Sequence, residues 1–509
     1  MGSKLIRFIF WFSALLFFAS IVANNSLALL DPDLGWHLKV GQDILATGRM
    51  PSDQIYMHTL PGTTWVDHEW LTNLSMYLLF KQFNYLGLIL AYLIIIIAAL
   101  WLSIADGIKL HQGRADAMLF LWAFLGLLGI LGHVGPRPQM ISFFLFAFLM
   151  LWLKKWQKTR QASLLYILPP FFWLWACLHA GFLIGLAVLA IYLFFDALWP
   201  FAGKQSWQSI RMPIIIGFAS FFATWLTPNG YKLYSFLTTY SNSAYLNIIS
   251  EWRSLFIPPI QYWQVLFLGL VCGLLIASFL IPEERHKLKK SDAAILLLFL
   301  FMTIRSVRHF PLFYIAASFI VLPLFLKTQI VAGRRVIFYW FTLLPVSFFL
   351  MITIIICTRI ELIRDPFSYF CQNYPCTAVS YIHEHPRLLG LKWLNNYNIG
   401  GYLIWTLPEA KLYIDGRMPQ TPYQGSTLLE HYMALYNSPE ILAKLDAEKI
   451  DLIFWQKPKN KKSNMFLDKL IVYASLEAPE QKSFTKLISN SPKWQLIFED
   501  DTSLIWQRR

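Results

Sequence analysis

The feature that most constrains this chain is a series of long apolar runs filling its first 357 residues. They lie at 8–30 and near 85–104, 115–132, 139–153, 163–178, 181–199, 212–227, 261–281, 292–304, 311–326 and 336–357, about eleven stretches of membrane-crossing character. A soluble core cannot absorb so much continuous apolar sequence, so a polytopic α-helical membrane protein is expected. Lys4 and Arg7 precede the first run, which is too long for the ~7–15-residue apolar core of a signal peptide and is expected to stay as the first span. The runs around Pro169-Pro170 and Arg305 are short enough to be broken helices.

Charge follows the same logic. Only 14% of the 509 residues are charged, against roughly 25% in a soluble domain. With the N-terminus inside and sides alternating, inner segments of the first 357 residues carry 17 Lys and Arg and outer segments 8. That is the positive-inside pattern. It accounts for much of the +14 net charge, and no nucleic-acid-binding motif accompanies it. An odd number of spans carries the C-terminal part to the outer side.

From about residue 358 the composition changes. Residues 358–509 hold 18 Lys and Arg and 16 Asp and Glu, with short apolar strands between helix-like stretches. The expected organisation is therefore a multispan domain, 1–357, and an extracytoplasmic α/β domain, 358–509. Segments 411–415, 451–455 and 494–498 read as buried strands, 375–383 and 440–448 as helices, and 457–462 as a solvated loop. Five cysteines are too few for a disulfide scaffold. Cys177, Cys272 and Cys357 belong to apolar runs as packing residues. Cys371 and Cys376 fit either a small disulfide loop or two thiols.

The acidic residues point to the chemistry. The first 357 residues contain 13, and six of them (Asp31, Asp33, Asp43, Asp53, Asp67 and Glu69) fall in the first loop, 31–70. Carboxylates are costly beside a bilayer, so crowding them there suggests binding or catalysis. Pro32 biases Asp31 towards an extended conformation and opens a helix at Asp33, with 34–45 amphipathic. Asp33 and His37, four apart, share a helical face and can share a proton or a metal ion. The plainer reading makes Asp31 or Asp33 an N-cap. Asp67 and Glu69 either complete a hard-cation site with Asp33, for Mg or Mn, or open the helix 71–81.

Cations on the outer side suggest the complementary partner. Arg137, Arg305, Arg308, His309 and Arg253 interrupt or flank apolar runs. A phosphate or an internal carboxylate is their natural partner, because Arg presents planar paired donors. His179 reads as a packed histidine at a helix break. In the C-terminal part, 395–402 is followed by Ile414-Asp415-Gly416-Arg417, an Asp placed after a strand where open α/β sheets bind ligands. Tyr402, Arg417 and Tyr423 are further candidates there. The same Asp-Gly is also a plain turn signal.

An uncleaved first span, then an outer loop opening with Asp31-Pro32-Asp33 beside an amphipathic helix, resembles the GT-C superfamily of multispan glycosyltransferases. The resemblance is to its bacterial members related to protein mannosyltransferases and aminoarabinose transferases. It implies a polyprenyl-phosphate-linked sugar donor, a glycan, lipid or protein acceptor, and a bacterial inner-membrane location. It further implies an acidic base in the first outer loop, which is Asp33 here with Asp31 next. Asp-Pro-Asp stands where that family has Asp-Glu. Residues 395–400 are similar, more weakly, to the acceptor-recognising domain of oligosaccharyltransferases, without its Trp pair. Arg305, Arg308, Arg137 and His309 would then hold the lipid phosphate, and Asp415, Arg417 and Tyr402 the acceptor side. The rival readings are a lipid-linked glycan transporter or flippase, with no acid expected inside the central spans to serve it, and a non-catalytic scaffold.

Overall fold

The computed structural model describes residues 31–110, 116–199, 207–241, 249–258, 260–280, 288–327, 374–457 and 480–509, with Cys371 and a few positions before residue 31. The expected last span, most of the first, Cys357 and the 458–462 part of the basic loop lie outside the described residues. The chain forms two compact units. One comprises Met1–Ser26, Ile89–Gly230 and Glu251–Ile360; the other comprises Leu27–Leu88, Tyr231–Ser250 and Glu361–Arg509.

Helices dominate the first unit. Among the described residues three segments are long and apolar enough to cross a membrane: Trp70–Ala105, Pro138–Thr159 and Val307–Leu324. Shorter apolar helices occupy Leu121–His133, Ala162–Leu178, Phe182–Leu198, Ile210–Leu226 and Tyr262–Ser278. Eight of the eleven expected runs are apolar helices among the described residues, three of them of full membrane length. The 292–304 run lies in the helix Lys290–Arg305. The 71–81 helix and the 85–104 run follow one another within Trp70–Leu110 and are separated by a kink at Asn84, whose φ of 55° and ψ of −160° are not helical.

The suspected breaks divide in two. Pro169 and Pro170 open the helix Leu168–Leu178 rather than interrupt one, because the first turn needs no amide hydrogens. At Arg305 the helix does end. Ser306 is extended, a 3-10 turn spans Val307–His309, and Phe310–Lys327 follows. His179 also breaks a helix, and its Nδ1 is satisfied by Ser142 Oγ at 2.7 Å and the Gly181 N–H at 2.9 Å.

One expectation needs correction. Two acids do lie buried in this helical unit, Asp196 and Asp292, each under 7% exposed. Lys154 pairs with Asp292 at 2.8 Å, Arg160 with Asp196 at 3.1 Å, and Gln157 bridges Asp196 and Ser291 at 3.0 and 2.8 Å. Apolar periodicity conceals such acids, since each sits near a helix end where basic residues from another helix reach it.

The second unit is built on a mixed four-stranded sheet of order β1-β4-β6-β5. Its strands are β1 (Trp393–Asn395), β4 (Leu452–Gln456), β5 (Trp494–Glu499) and β6 (Ser503–Arg508). A two-stranded ribbon, β2 (Pro422–Tyr423) and β3 (Ser426–Thr427), stands apart. β1 runs parallel to β4, and the β4–β6 and β5–β6 pairs are antiparallel. Trp393, Trp455 and Trp506 are fully buried, so the core gathers on β1, β4 and β6. β5 is an edge strand and largely uncovered, so the buried strand expected at 494–498 exists but is not buried. Helices form at Cys376–Glu384 and Ile441–Ala447, close to expectation. Cys371 and Cys376 are joined in a disulfide.

Segment 411–415 is not a regular strand. Lys411 and Leu412 make single bridges to Lys392 and Met57. The Asn395 side chain replaces the ladder beyond them, accepting from Tyr413 N at 2.9 Å and donating to Ile414 O at 2.9 Å. The first loop is stitched to the same segment. Leu412 bonds the backbones of Tyr56 and His58, Thr59 Oγ1 donates to Tyr413 O at 2.7 Å, and His58 Nε2 meets Trp393 O at 2.9 Å.

The helix Leu34–Thr47 packs on the helix Gly400–Thr406 through glycine. A Cβ on Gly35 would lie 2.1 Å from the Gly401 carbonyl oxygen, and one on Gly401 would lie 2.3 Å from that of Pro32. Neither backbone can yield without moving a helix. Gly401→Ala is expected to destabilise the protein by about 1–3 kcal/mol, an overpacking cost. A lowered thermal midpoint of the full-length protein checks this; an unchanged midpoint contradicts the close approach.

Candidate functional site

The acidic loop and the Asp415-Arg417 turn belong to the second unit. Asp31 is buried, and its Oδ1 accepts the Asp33 N–H at 2.8 Å, which shapes the turn into the helix Leu34–Thr47. Asp33 occupies the N-cap position but makes no side-chain capping bond. Asp31 thus orders the turn that leads into the helix. The Asp33 carboxylate instead lies over Gly416, where a Cβ would come within 1.9 Å of Oδ1.

Gly416 is flanked by a buried ion pair. Arg417 forks onto Asp415, with Nε to Oδ1 at 3.0 Å and Nη2 to Oδ2 at 2.7 Å, and both side chains are fully inaccessible. The guanidinium also lies against Tyr56 at 4.7 Å and Trp65 at 4.9 Å from the ring centroids. Aromatic faces are good partners for a desolvated Arg. Tyr56 in turn donates from its hydroxyl to Asp43. A carboxylate, a glycine notch and a rigid cation are therefore fixed together.

Below Asp33 on the same helix, His37 turns to a second network. Its Nδ1 lies 2.5 Å from Asn73 Oδ1, and Asn73 Nδ2 donates to both Asp67 oxygens at 3.0 and 2.9 Å. Because Asp67 takes both amide hydrogens, the Asn73 oxygen must accept, and His37 carries its proton on Nδ1. Glu69 stands 3.9 Å from His37 Nε2 and 3.2 Å from His68 Nε2. Burial lowers the His37 imidazole below its ordinary value, against the pull of Glu69. His68 is raised, since Glu69 and Asp67 outweigh the effect of burial. Asp67 also accepts the Glu69 N–H at 3.1 Å, the turn-opening role considered for it. Among the described residues no group of three His, Cys, Asp or Glu side chains is arranged to hold a metal ion; Asp67 faces Asn73, and Glu69 faces His68 and His37.

Tyr402 is buried, with its ring 5.0 Å from Tyr374; it packs the helix Gly400–Thr406. Tyr423 lies on β2, its ring 4.9 Å from His431.

The cations divide differently. In the first unit Arg137 and Arg308 converge on one carboxylate, Glu251. Arg137 Nη1 bonds Oε1, and Arg308 Nη1 lies 3.3 Å from Oε2. Burial pushes the Glu251 carboxyl up, but the two guanidiniums hold it down to about 2. Arg308 also lies 4.9 Å from the Trp252 ring centroid, and Trp252 packs edge-on to His309 at 5.7 Å. Arg305 is exposed at its helix end and has no place in this clamp. Arg253 Nη1 donates to Pro258 O at 2.8 Å. Sequence reasoning had weighed phosphate against an internal carboxylate for these arginines; the carboxylate is present, and it is Glu251. A lone acid in an outer segment otherwise lacking acids was its signal. Asn73, Tyr56 and Trp65 carried no comparable signal.

No protein family and no curated protein matches the chain by sequence. A solved structure does match by fold. The crystal structure of ArnT from Cupriavidus metallidurans bound to undecaprenyl phosphate aligns over 99% of this chain and 98% of that one, with a TM-score of 0.50 and 10% sequence identity. At this identity the likeness speaks for the fold: a mostly helical protein with a small C-terminal sheet domain.

The Asp67 carboxyl has a consequence that can be measured. Burial lifts it from 3.8 to about 6, against its bonds from the Glu69 N–H and Asn73 and the charge of His68. A raised folded-state value means that the folded protein binds this proton more tightly than the unfolded chain. Its contribution is full below about pH 4 and is lost as pH rises through about 6. Asp67→Asn is expected to flatten the thermal stability profile between these values, by a few kcal/mol at most. An identical slope in both proteins would refute the assignment.

Proposed function

We propose that the chain is a membrane glycosyltransferase of the GT-C type. It moves a sugar, with inversion, from a polyprenyl-phosphate-type lipid to an acceptor hydroxyl at the outer face of a bacterial inner membrane. The observation that carries this reading is the Asp33 carboxylate, which does not cap its own helix and lies at the Gly416 notch beside the Asp415–Arg417 pair. The fold likeness to a protein crystallised with undecaprenyl phosphate supports the lipid class.

In this reading Asp33 accepts the proton of the acceptor hydroxyl while that oxygen forms its bond to the anomeric carbon. The bond from that carbon to the phosphate oxygen breaks, and the electron pair leaves with the lipid phosphate. A phosphate is a good leaving group as an anion, so no general acid is needed. Within the first unit, Arg137 and Arg308 have the right chemistry to hold the phosphate of such a lipid. Arg305 and His309 are left with lesser roles, because neither joins that pair. Asp415 and Arg417 form a rigid wall near the base. The acceptor is a glycan, a lipid or a protein, and the reading names no metal.

Asp33→Asn is expected to lower transfer by about 10²–10⁴-fold, the usual share of a general base, while the protein stays folded. Mass spectrometry of lipid-linked sugars and surface glycans tests this in cells carrying wild type, the variant or no protein. Loss of one sugar with accumulation of its lipid donor in both deficient strains supports transfer. Wild-type glycans from the Asp33→Asn strain would sink the base, and a deletion phenotype without donor accumulation would favour a transporter.

A further inference from the structure

The Glu251 clamp does something that a bare phosphate site would not. Two arginines share one carboxylate, each binding a different oxygen through a single nitrogen. The three side chains are only 20–24% accessible. Two guanidiniums so placed, with nothing between them, would repel and remain poorly hydrated, so the pair needs an anion at all times. One carboxylate leaves the group with a net positive charge and with most guanidinium donors turned elsewhere. A sugar-bearing lipid phosphate, a diester with one charge and two free oxygens, can take the place of the carboxylate on these cations, and the spent carrier, a monoester with three acceptor oxygens and up to two charges, satisfies them better.

The backbone around Glu251 is fixed while its side chain is not locked by covalent geometry. Ser306 Oγ donates to Glu251 O at 3.1 Å, Val307 N to Arg253 O at 3.0 Å, and Leu255 N to Ile304 O at 3.1 Å. These bonds pin the short turn Ser250–Trp252 to the helix break at Arg305 and Ser306. The carboxylate can therefore leave the arginines by side-chain rotation alone, without unpinning the turn. Around it, Trp252 Nε1 and His309 Nδ1 are buried with no hydrogen-bond partner among the described residues.

We propose that Glu251 is an internal stand-in for the lipid phosphate: it holds Arg137 and Arg308 in position when no lipid is bound and is displaced when the phosphate arrives. The proposal rests on the reading that these arginines receive the phosphate. It assigns Glu251 a regulatory part, setting how tightly the lipid is held and how easily the spent carrier leaves. A carboxylate that returns to the arginines competes with the leaving polyprenyl phosphate and speeds its release.

The test measures binding of undecaprenyl phosphate to the full-length protein in nanodiscs for wild type, Glu251→Gln, Glu251→Asp, Arg137→Gln and Arg308→Gln. Glu251→Gln keeps the shape and removes the competing charge, and is expected to tighten binding at least tenfold and to slow dissociation. Glu251→Asp, whose carboxylate is drawn back by one methylene, is expected to tighten it less, and it decides the matter if the Gln variant fails to fold. Unchanged or weaker binding in the foldable Glu251 variant, together with weakened binding in the Arg variants, overturns the stand-in while leaving the phosphate site intact. Unchanged binding in both Arg variants overturns the phosphate reading itself.

Discussion

Where Gly35 meets Gly401, two backbones touch with no side chain between them, and the geometry around Asp33 follows from that contact. The helix Leu34–Thr47 can approach the helix Gly400–Thr406 closely only because neither carries a Cβ there. The approach brings the N-terminal end of the first helix to the Asp415-Arg417 turn. Asp31 then closes the local turn, which leaves the Asp33 carboxylate to face Gly416. A single methyl group at this crossing would meet backbone at about 2 Å, so the two helices, and the carboxylate with them, would have to shift.

A second constraint runs through both units: charge in poorly hydrated surroundings must be matched locally. Asp196 and Asp292 have Arg160 and Lys154. Arg417 has Asp415 and two aromatic faces. Glu251 has two arginines. The pairings differ in kind. The Asp415–Arg417 fork is bidentate and wholly buried, suited to rigidity, whereas Glu251 divides its oxygens between two cations and remains partly accessible, suited to exchange.

Much of this was legible in the chain itself. Apolar runs announced the helices because hydrocarbon demands continuous apolar surface and internally satisfied backbone. The crowding of acids singled out the 31–70 loop, the resemblance pointed to Asp33 within it, and the Asp-Gly-Arg sequence singled out residues 415–417. Pairing partners were harder to read. Nothing in the local sequence ties Asn73 to His37 and Asp67, or Tyr56 and Trp65 to Arg417, since these contacts depend on tertiary geometry. Segment 411–415 misled because its alternation is that of a strand, yet the Asn395 side chain takes the place of neighbouring backbone. The two helices expected at 71–81 and 85–104 do meet at a break, the non-helical Asn84.

The stitching of the first loop to the C-terminal sheet also sets a timetable. His58 meets the Trp393 carbonyl across 335 residues of chain. At a ribosomal pace of about 5–20 residues per second, roughly twenty seconds to a minute separates the synthesis of the two. Throughout that interval the acidic loop exists without the strand that shapes it, and the notch that receives Asp33 has not been made. A nascent or prematurely terminated chain therefore displays the carboxylates but not the site.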